Sequence, residues 1–554
     1  MGGFKAVEDR PTPKEVYNWR LYAEASIIAT GSLLFGYDSA FIGTTIARNG
    51  FKRDFGITAE NSNNISSNIT SAFQAGALGG ALLCFFITER IGRKWTLQAN
   101  VVIFLVGAIL MTAATNQLSY IYAGRALTGI GCGGITATVP SYIGELSIPS
   151  IRGILTGLFE VAYQVGSVVG FWINYGITQN IDPALAVSWR IPMGFQLVPA
   201  GILFIGCFFV HESPLWLLRK GKADEAYKVL EAIRHLPIDD KYMQEEIDMM
   251  RKKMDEEAAV ASDYGSGQWA YFRGVASMLC RKGMRNRLAL VFCAFALNNL
   301  SGAAAINYYS PTLFASIGIT DVALYTGIYG LIKAIASIVY FVFLIDLLGR
   351  RWPAIASSFI CSLCLWVVGS YVKIGHPADI IAAGKELSAS TAAGGKAATG
   401  MIMIYSICWS FGLNGIPWIV SAEIFPGALR NFTGTFAALC VWSTQFAITK
   451  AMPYIFSSFG YGTWFFFAAW MIVATLWAFF LLPETKGLTM DQMDVILYVP
   501  TAVSLCIVIQ EGMLTHLSYS GYAHDSRPEP SAKVIDTAFD DSDKVKRSEH
   551  TEDV

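Results

Sequence analysis

Long apolar runs separated by short charged turns organise this chain. Twelve runs stand out, at 21–44, 69–88, 96–115, 119–143, 154–176, 191–210, 288–316, 323–345, 353–373, 399–420, 432–455 and 463–482. About 20 apolar residues cross the hydrocarbon core of a bilayer as a helix, so each run predicts one transmembrane helix. The stretch 211–285 between the sixth and seventh runs is polar and helix-patterned, with Glu225, Lys228, Glu231, Arg234 and the charged run Lys241–Glu257. The chain is therefore expected to divide into a polar N-terminus (1–20), a six-helix half (21–210), a helical linker (211–285), a second six-helix half (286–482) and a tail (483–554). The expected fold class is an all-α membrane protein of twelve transmembrane helices in two six-helix halves.

The halves carry matching punctuation. Glu89-Arg90-Ile91-Gly92-Arg93-Lys94-Trp95 returns as Asp346-Leu347-Leu348-Gly349-Arg350-Arg351-Trp352. The Glu145 to Arg152 segment returns as Glu423 to Arg430 at the same separation, and His211-Glu212-Ser213-Pro214 is echoed by Pro483-Glu484-Thr485-Lys486. Each signature ends an apolar run. A duplicated set of apolar segments with the same charged turns reads as a two-half membrane transporter.

Composition agrees. Of the 554 residues 53% are hydrophobic and 15% charged, and the mean hydropathy is +0.44. Soluble chains carry about 25% charged residues. A net charge of −1 leaves no nucleic-acid footprint. The ten cysteines are scattered, mostly inside apolar runs, without metal-ligand spacing or a secreted framework. Met1 to Arg20 has no apolar signal core, so the first span is expected to direct insertion.

Basic residues in short loops set orientation. Arg90, Arg93, Lys94, Arg152, Arg350, Arg351 and Arg430 fall on one side, with the linker and both termini. That side is predicted to be cytoplasmic, although Arg48, Lys52, Arg53, Lys373, Lys385 and Lys396 lie on the other. Asn64-Ile65-Ser66 in the first outer loop is a glycosylation sequon, with Asn64 as acceptor. The tail is expected to be disordered towards Asp540–Val554. Its apolar piece Val495–Ile509 is too short to span and is broken by Pro500, so it either lies on the membrane surface or is a gene-model artefact.

Four charges stand out inside the predicted spans: Asp38, Arg125, Glu160 and Lys333. Each costs roughly 2.5–3.5 kcal/mol at mid-bilayer, so such residues face the bundle interior and have partners. Lys333 must meet a carboxylate or lose its proton, and the available carboxylates are Glu160 or an acid group on a substrate. Gln74 is a further interior candidate, although a mid-helix Gln can also bond a neighbouring helix. Gly129-Ile130-Gly131-Cys132-Gly133-Gly134 satisfies a dinucleotide glycine pattern but lacks the preceding strand, and small residues for close helix approach explain it better.

Taken in order, Gly36-Tyr37-Asp38, Glu89-Arg90 with Gly92-Arg93-Lys94, Gly124-Arg125, Pro140-Ser141-Tyr142-Ile143-Gly144-Glu145, Arg152-Gly153, Glu212-Ser213-Pro214, Asn307-Tyr308-Tyr309-Ser310-Pro311, Gly349-Arg350-Arg351, Pro417-Trp418, Glu423-Ile424-Phe425-Pro426 and Pro483-Glu484-Thr485-Lys486-Gly487 resemble the sugar porter family of the major facilitator superfamily. The resemblance covers about residues 20–490. The opening Glu8-Asp9-Arg10-Pro11-Thr12-Pro13-Lys14 and Phe171-Trp172-Ile173-Asn174-Tyr175-Gly176 look like the filamentous-fungal branch that includes quinate permeases.

The resemblance implies a proton symporter in the plasma membrane. It would import a sugar or a sugar-derived acid, such as galacturonate or quinate, by alternating access. A neutral hexose or pentose carrier, glucose or xylose, is the near alternative, and a nutrient sensor a different class. No enzyme activity or cofactor is implied, and the chain would work as a monomer in the lipid bilayer. Asp38 would carry the proton with Arg125 as counter-charge, or the two would be a static ion pair. Glu160 and Gln164 fall where sugar porters bond sugar hydroxyls, and Lys333 where the family often has a sugar-binding Asn. The family's paired glutamines are Asn298 and Asn299 here, and its later Asn is Ala304, which argues for an altered substrate. Asn307, Ser410 and Trp418 would complete the substrate site, Trp418 packing on the sugar ring. Arg93, Glu145, Arg152, Glu212, Arg350, Glu423, Arg430 and Glu484 would gate the inner face by cross-linking the halves when the site faces outward. His211 and Leu215 depart from the family's Pro and Arg on either side of Glu-Ser-Pro.

Overall fold

The computed structural model describes residues 11–262, 273–274, 277–280, 282–319, 321–425 and 429–486. Twelve helical spans run through it. In chain order they are α1 (Trp19–Ile46), α2 (Ser62–Ile91), α3 (Arg93–Thr112), α4 (Leu118–Leu146), α5 (Arg152–Asn180) and α6 (Val187–Phe209). The second half continues with α7 (Met284–Ser316), α8 (Val322–Leu344), α9 (Arg351–Gly375), α10 (Ala389–Ile424), α11 (Arg430–Phe459) and α12 (Gly462–Phe480). The tail segment Val495–Ile509 and the Asp540–Val554 end lie outside the described residues.

Ten of the spans are apolar enough to cross a membrane by composition alone. The other two, α4 and α11, are diluted by Gly, Ser, Thr, Gln and the cations Arg125 and Lys450. They can be polar because neighbours cover them. A Cβ added to Gly129 would lie 2.1 Å from the Phe73 carbonyl oxygen, and one on Gly133 2.0 Å from that of Ala77. Gly131 stands equally close to Asn100 of α3, at 2.6 Å. The glycine run of α4 is therefore a helix-packing surface, seated between α2 and α3. On the outside of the bundle, Leu82, Phe86, Val106, Ile109, Ile202, Ile205, Phe208 and Leu476 are exposed, as lipid-facing residues must be.

Two spans are broken at mid-depth. Span α7 stops at Leu300 and restarts at Ala303, with Gly302 at φ +96 between. Span α10 stops at Phe411 and restarts at Ile416. Broken backbone inside a membrane is tolerated only when its polar groups find partners. Here each break supplies the other: Asn298 Nδ2 donates to the Leu413 carbonyl, Tyr405 hydroxyl to the Ser301 carbonyl (3.0 Å) and Trp409 Nε1 to Ser301 Oγ (3.0 Å).

The linker folds against the end of the first half. Its helices are Pro214–Arg219, Ala223–Arg234 and Lys241–Ser262, and a small core of Leu230, Met243 and Ile247 joins the last two. Arg234 is buried, forms an ion pair with Glu246 (2.7 Å) and donates to the Leu146 carbonyl at the end of α4 (2.9 Å). Asn18 caps α1 by accepting from Arg20 and Leu21, and its amide donates to the Ile233 carbonyl, which locks the linker to the first span.

The α2–α4 contact generates a prediction. Gly133→Ala places a methyl against immovable backbone, whereas nothing lies within 4 Å of a Cβ at Gly79. Gly133→Ala is expected to cost about 1–3 kcal/mol and to lower the melting temperature of the detergent-solubilised protein. Gly79→Ala should melt with the parent; equal melting of both variants would refute the packing role of the glycine run.

Candidate substrate and proton site

Asp38 of α1 and Arg125 of α4 meet in the first half, both with no solvent exposure. Arg125 Nη1 donates to Asp38 Oδ1. The guanidinium is fixed on two further sides: Nε donates to the Ile69 carbonyl (3.1 Å), and the Phe73 ring lies 4.6 Å away. Asp38 Oδ2 has no partner among the described residues. The arrangement is an immobilised cation beside a carboxylate with one oxygen left to take a proton.

The other two interior charges lie nearer the centre. Lys333 is buried midway along α8, eleven residues from either end of Val322–Leu344. Its Nζ donates to Asn307 Oδ1 of α7 (3.3 Å) and stands 5.5 Å from the Tyr163 ring and 5.9 Å from the Trp409 ring. Glu160 of α5 does not form an ion pair with it among the described residues. Its Oε1 accepts instead from Gln164 Nε2 (2.6 Å) and from Asn414 Nδ2 (2.8 Å), and Asn414 also donates to Ser337 Oγ of α8 (3.1 Å). Glu160 thus joins the two halves through the α10 break rather than through Lys333. The direct Glu160–Lys333 pair, one of the two partnerships open from sequence, is absent from this conformation: two amide donors hold Glu160 Oε1, and Lys333 Nζ donates to Asn307.

Several buried polar atoms around this region have no partner among the described residues: both amide atoms of Gln74, Gln164 Oε1, Ser167 Oγ, Ser310 Oγ and Tyr329 hydroxyl. Buried polar atoms are nearly always bonded, so these orphans are candidates for bonds to a ligand. The remaining residues expected at the site are placed differently. Asn298 is spent on the α10 break. Asn299 ties α7 to α11, donating to Thr444 Oγ1 (2.8 Å). Ser410 bonds the carbonyls of Ser406 (2.8 Å) and Lys333 (3.3 Å). Trp418 is half-buried between Phe295 and Phe159, with ring centroids at 5.0 and 6.4 Å. Sequence reasoning missed Asn414, Tyr163 and Trp409. The interrupted run Gly412-Leu413-Asn414-Gly415 was the available signal, because helices broken near the midplane are where transporters place their sites.

The charged inner-face residues form two copies of one arrangement. Gly92 (φ +94) turns the chain so that the Arg93 and Lys94 N–H groups at the start of α3 both donate to Glu212, at 2.8 and 3.2 Å. Gly349 (φ +79) does the same at the start of α9, where Arg350 and Arg351 N–H groups donate to Glu484, at 2.9 and 3.1 Å. Each carboxylate caps a helix N-terminus, where negative charge is favoured. Arg93 then forms an ion pair with Glu145 (2.9 Å) and Arg350 with Glu423 (2.9 Å), and the neighbouring hydroxyls of Ser213 and Thr485 close the rings onto those glutamates. Burial pushes the Glu212 carboxyl above its ordinary value, against the pull of the Ser213, Lys94 and Arg93 N–H groups. Both rings close within a single half in this conformation. Arg152 opens α5 and Arg430 opens α11; the Arg430 side chain is outside the described residues. His211, where the family has Pro, bonds Glu24 of α1 through Nδ1 (2.7 Å), and Leu215 is buried.

On the side away from the linker the halves are shut. Thr70 and Tyr309 hydroxyls bond at 2.6 Å, Lys450 donates to Asn68, and Gly43 of α1 lies directly against the Tyr308 carbonyl. Asn64 is exposed on the first turn of α2, on this same side.

Comparison with known proteins agrees with this architecture. The "quinate permease" of Emericella nidulans is 41% identical over 493 residues, covering 88% of this chain and 90% of its own. The "probable quinate permease" of Aspergillus clavatus is 42% identical over 496 residues, covering 88% and 89%. The partially occluded, inward-open xylose transporter XylE of E. coli superimposes with a TM-score of 0.69 at 20% identity, over 85% of this chain and all of that one. It shares the fold. The family model described as sugar (and other) transporter matches residues 25–497, and the chain belongs to that family of multi-pass membrane transporters.

Proposed function

We propose that this chain is a proton symporter of the plasma membrane that imports a hydroxylated carboxylic acid of the quinate type by alternating access. The observation that carries the reading is Lys333, a buried cation at mid-span whose neighbours are a neutral amide and two aromatic rings. A buried cation without a carboxylate in contact is expensive, and a substrate carboxylate would neutralise it. Gln74, Gln164 and Tyr329 offer unpartnered polar atoms to ring hydroxyls, and Trp418 offers an aromatic face. The names of the fungal relatives support quinate; galacturonate has the same acid-plus-hydroxyl chemistry but no relative speaks for it. Asp38 carries the coupled proton beside Arg125. The linker side, rich in basic loops, is cytoplasmic, and Asn64 on the opposite side is the glycosylation acceptor. The Arg93–Glu145–Glu212 and Arg350–Glu423–Glu484 rings, with Arg152 and Arg430, set the inner gate.

Two outcomes test this reading. In yeast lacking hexose and acid carriers, labelled quinate uptake should be faster at pH 5 than at pH 7. Lys333→Asn should weaken it, because breaking a desolvated charge pair costs about 2–5 kcal/mol, a loss of about thirtyfold or more in affinity. Uptake of glucose or xylose alone, indifferent to Lys333→Asn, would replace the acid with a neutral sugar. Asp38→Asn should abolish accumulation of quinate against its gradient while leaving exchange of labelled for unlabelled quinate across vesicles. Accumulation by Asp38→Asn equal to the parent would make the Asp38–Arg125 pair structural.

A further inference from the structure

Glu160 is the second carboxylate in the middle of the bundle, and its surroundings suit two protonation states. Asp38 has a cation in contact; Glu160 has none among the described residues. Its Oε1 accepts from two amides, Gln164 Nε2 and Asn414 Nδ2, while Oε2 has no hydrogen-bond partner there. A charged carboxylate is held by those donors. A carboxyl protonated on Oε2 keeps both bonds, because Oε1 is still an acceptor. Gln164 adds a second option: its own Oε1 is buried and unpartnered, so a half-turn of its amide converts the donor facing Glu160 into an acceptor for the proton. The groups packed around the carboxyl are Gln164 and Tyr163 on α5, Asn414 on the α10 break, and Ser337 and Lys333 on α8. Lys333 is the cation among them, one helical turn from Ser337, and it is near enough to attract Glu160 without touching it.

This geometry fixes a charge balance. Without a substrate anion, Glu160 and Lys333 offset each other at a distance, as Asp38 and Arg125 do in contact. An anionic substrate that takes Lys333 leaves Glu160 as an uncompensated negative charge in a low-dielectric interior, which is strongly disfavoured. We propose that Glu160 is a second proton site, loaded when a substrate carboxylate engages Lys333, so that two protons cross with each monoanion. The inference rests on the carboxylate reading of Lys333. One proton travels on Asp38 and one on Glu160; the anion cancels one of them, and each turnover moves one net positive charge inward. A carrier using Asp38 alone would move quinate with no net charge.

The test is the ratio of charge to substrate moved by the full-length chain in proteoliposomes, with current and labelled quinate flux measured on the same preparation. The ratio does not depend on turnover rate, so a slow variant still reports. The parent should move one positive charge per quinate, and an inside-negative potential alone should drive uptake. Glu160→Gln should move whatever quinate it carries with no net charge, driven by a pH gradient and unaffected by potential. A charge-free parent overturns the second proton site while leaving the carboxylate reading intact, and so does a Glu160→Gln variant that still moves one charge. A parent that carries no quinate or other carboxylate overturns both. Should Glu160→Gln fail to assemble, the parent's ratio decides alone.

Discussion

A charge carried into the middle of a bilayer must meet its opposite or give up its own, and the interior of this bundle is arranged by that demand. It is met in full at two levels and only in part at a third. Near the face away from the linker, Arg125 is held by Asp38, a carbonyl and an aromatic ring, so one charge is immobile and the other keeps a free oxygen. At the linker face, Arg93 and Arg350 of the duplicated turns are each matched by a glutamate from their own half. Between them, Lys333 and Glu160 lie near one another without forming an ion pair. Incomplete neutralisation at one level, with saturation on either side, sets this level apart from the rest of the bundle.

The duplicated turns also tie each half together at its linker face. In both, a positive-φ glycine brings a carboxylate onto the N-terminus of the following helix, and a Cβ at Gly92 or Gly349 would strike that carboxylate at 2.3 or 2.5 Å. Each ring ties together the turn before a helix, the end of the next span and the chain leaving the half. The three pieces cannot shift independently, and relative motion is left to the surface between the halves. Polar bonds that cross that surface among the described residues include Thr70–Tyr309 and Asn68–Lys450 on the outer side, and Thr136–Trp442 and Glu160–Asn414 deeper in.

Most of the fold was legible in the sequence because lipid imposes a length and a polarity on each span. The twelve apolar runs correspond to the twelve helices, including α4 and α11, which hydropathy alone undervalues because their polar residues face helices rather than lipid. The interior charges were legible for the same reason, since Asp38, Arg125, Glu160 and Lys333 are conspicuous in apolar surroundings. Pairing was less so. Which carboxylate meets which cation depends on helix rotation and on donors too small to stand out: Asn414 takes Glu160 away from Lys333, and the α7 and α10 breaks consume Asn298 and Ser301 in satisfying backbone. Asn and Ser serve backbone repair and ligand binding equally well, so their presence in a span does not say which use prevails.

Opening the outer face must break the Thr70–Tyr309 and Asn68–Lys450 bonds and part the tight contact of Gly43 with the Tyr308 carbonyl, all of which lie along α1, α2, α7 and α11. Tyr308 and Tyr309 sit in the half of α7 beyond its break, directly after Asn307, which contacts Lys333. The break frees this half-helix from the remainder of α7, while Tyr405 and Trp409 hold the break itself in place through Ser301. A ligand that draws Lys333 away from Asn307 therefore acts on the same short half-helix that carries the outer closure. Coupling between an occupied centre and a shut outer face would need no long pathway: it would pass through one half-helix, with the polar break behind it as the fixed point and two tyrosines as the seal.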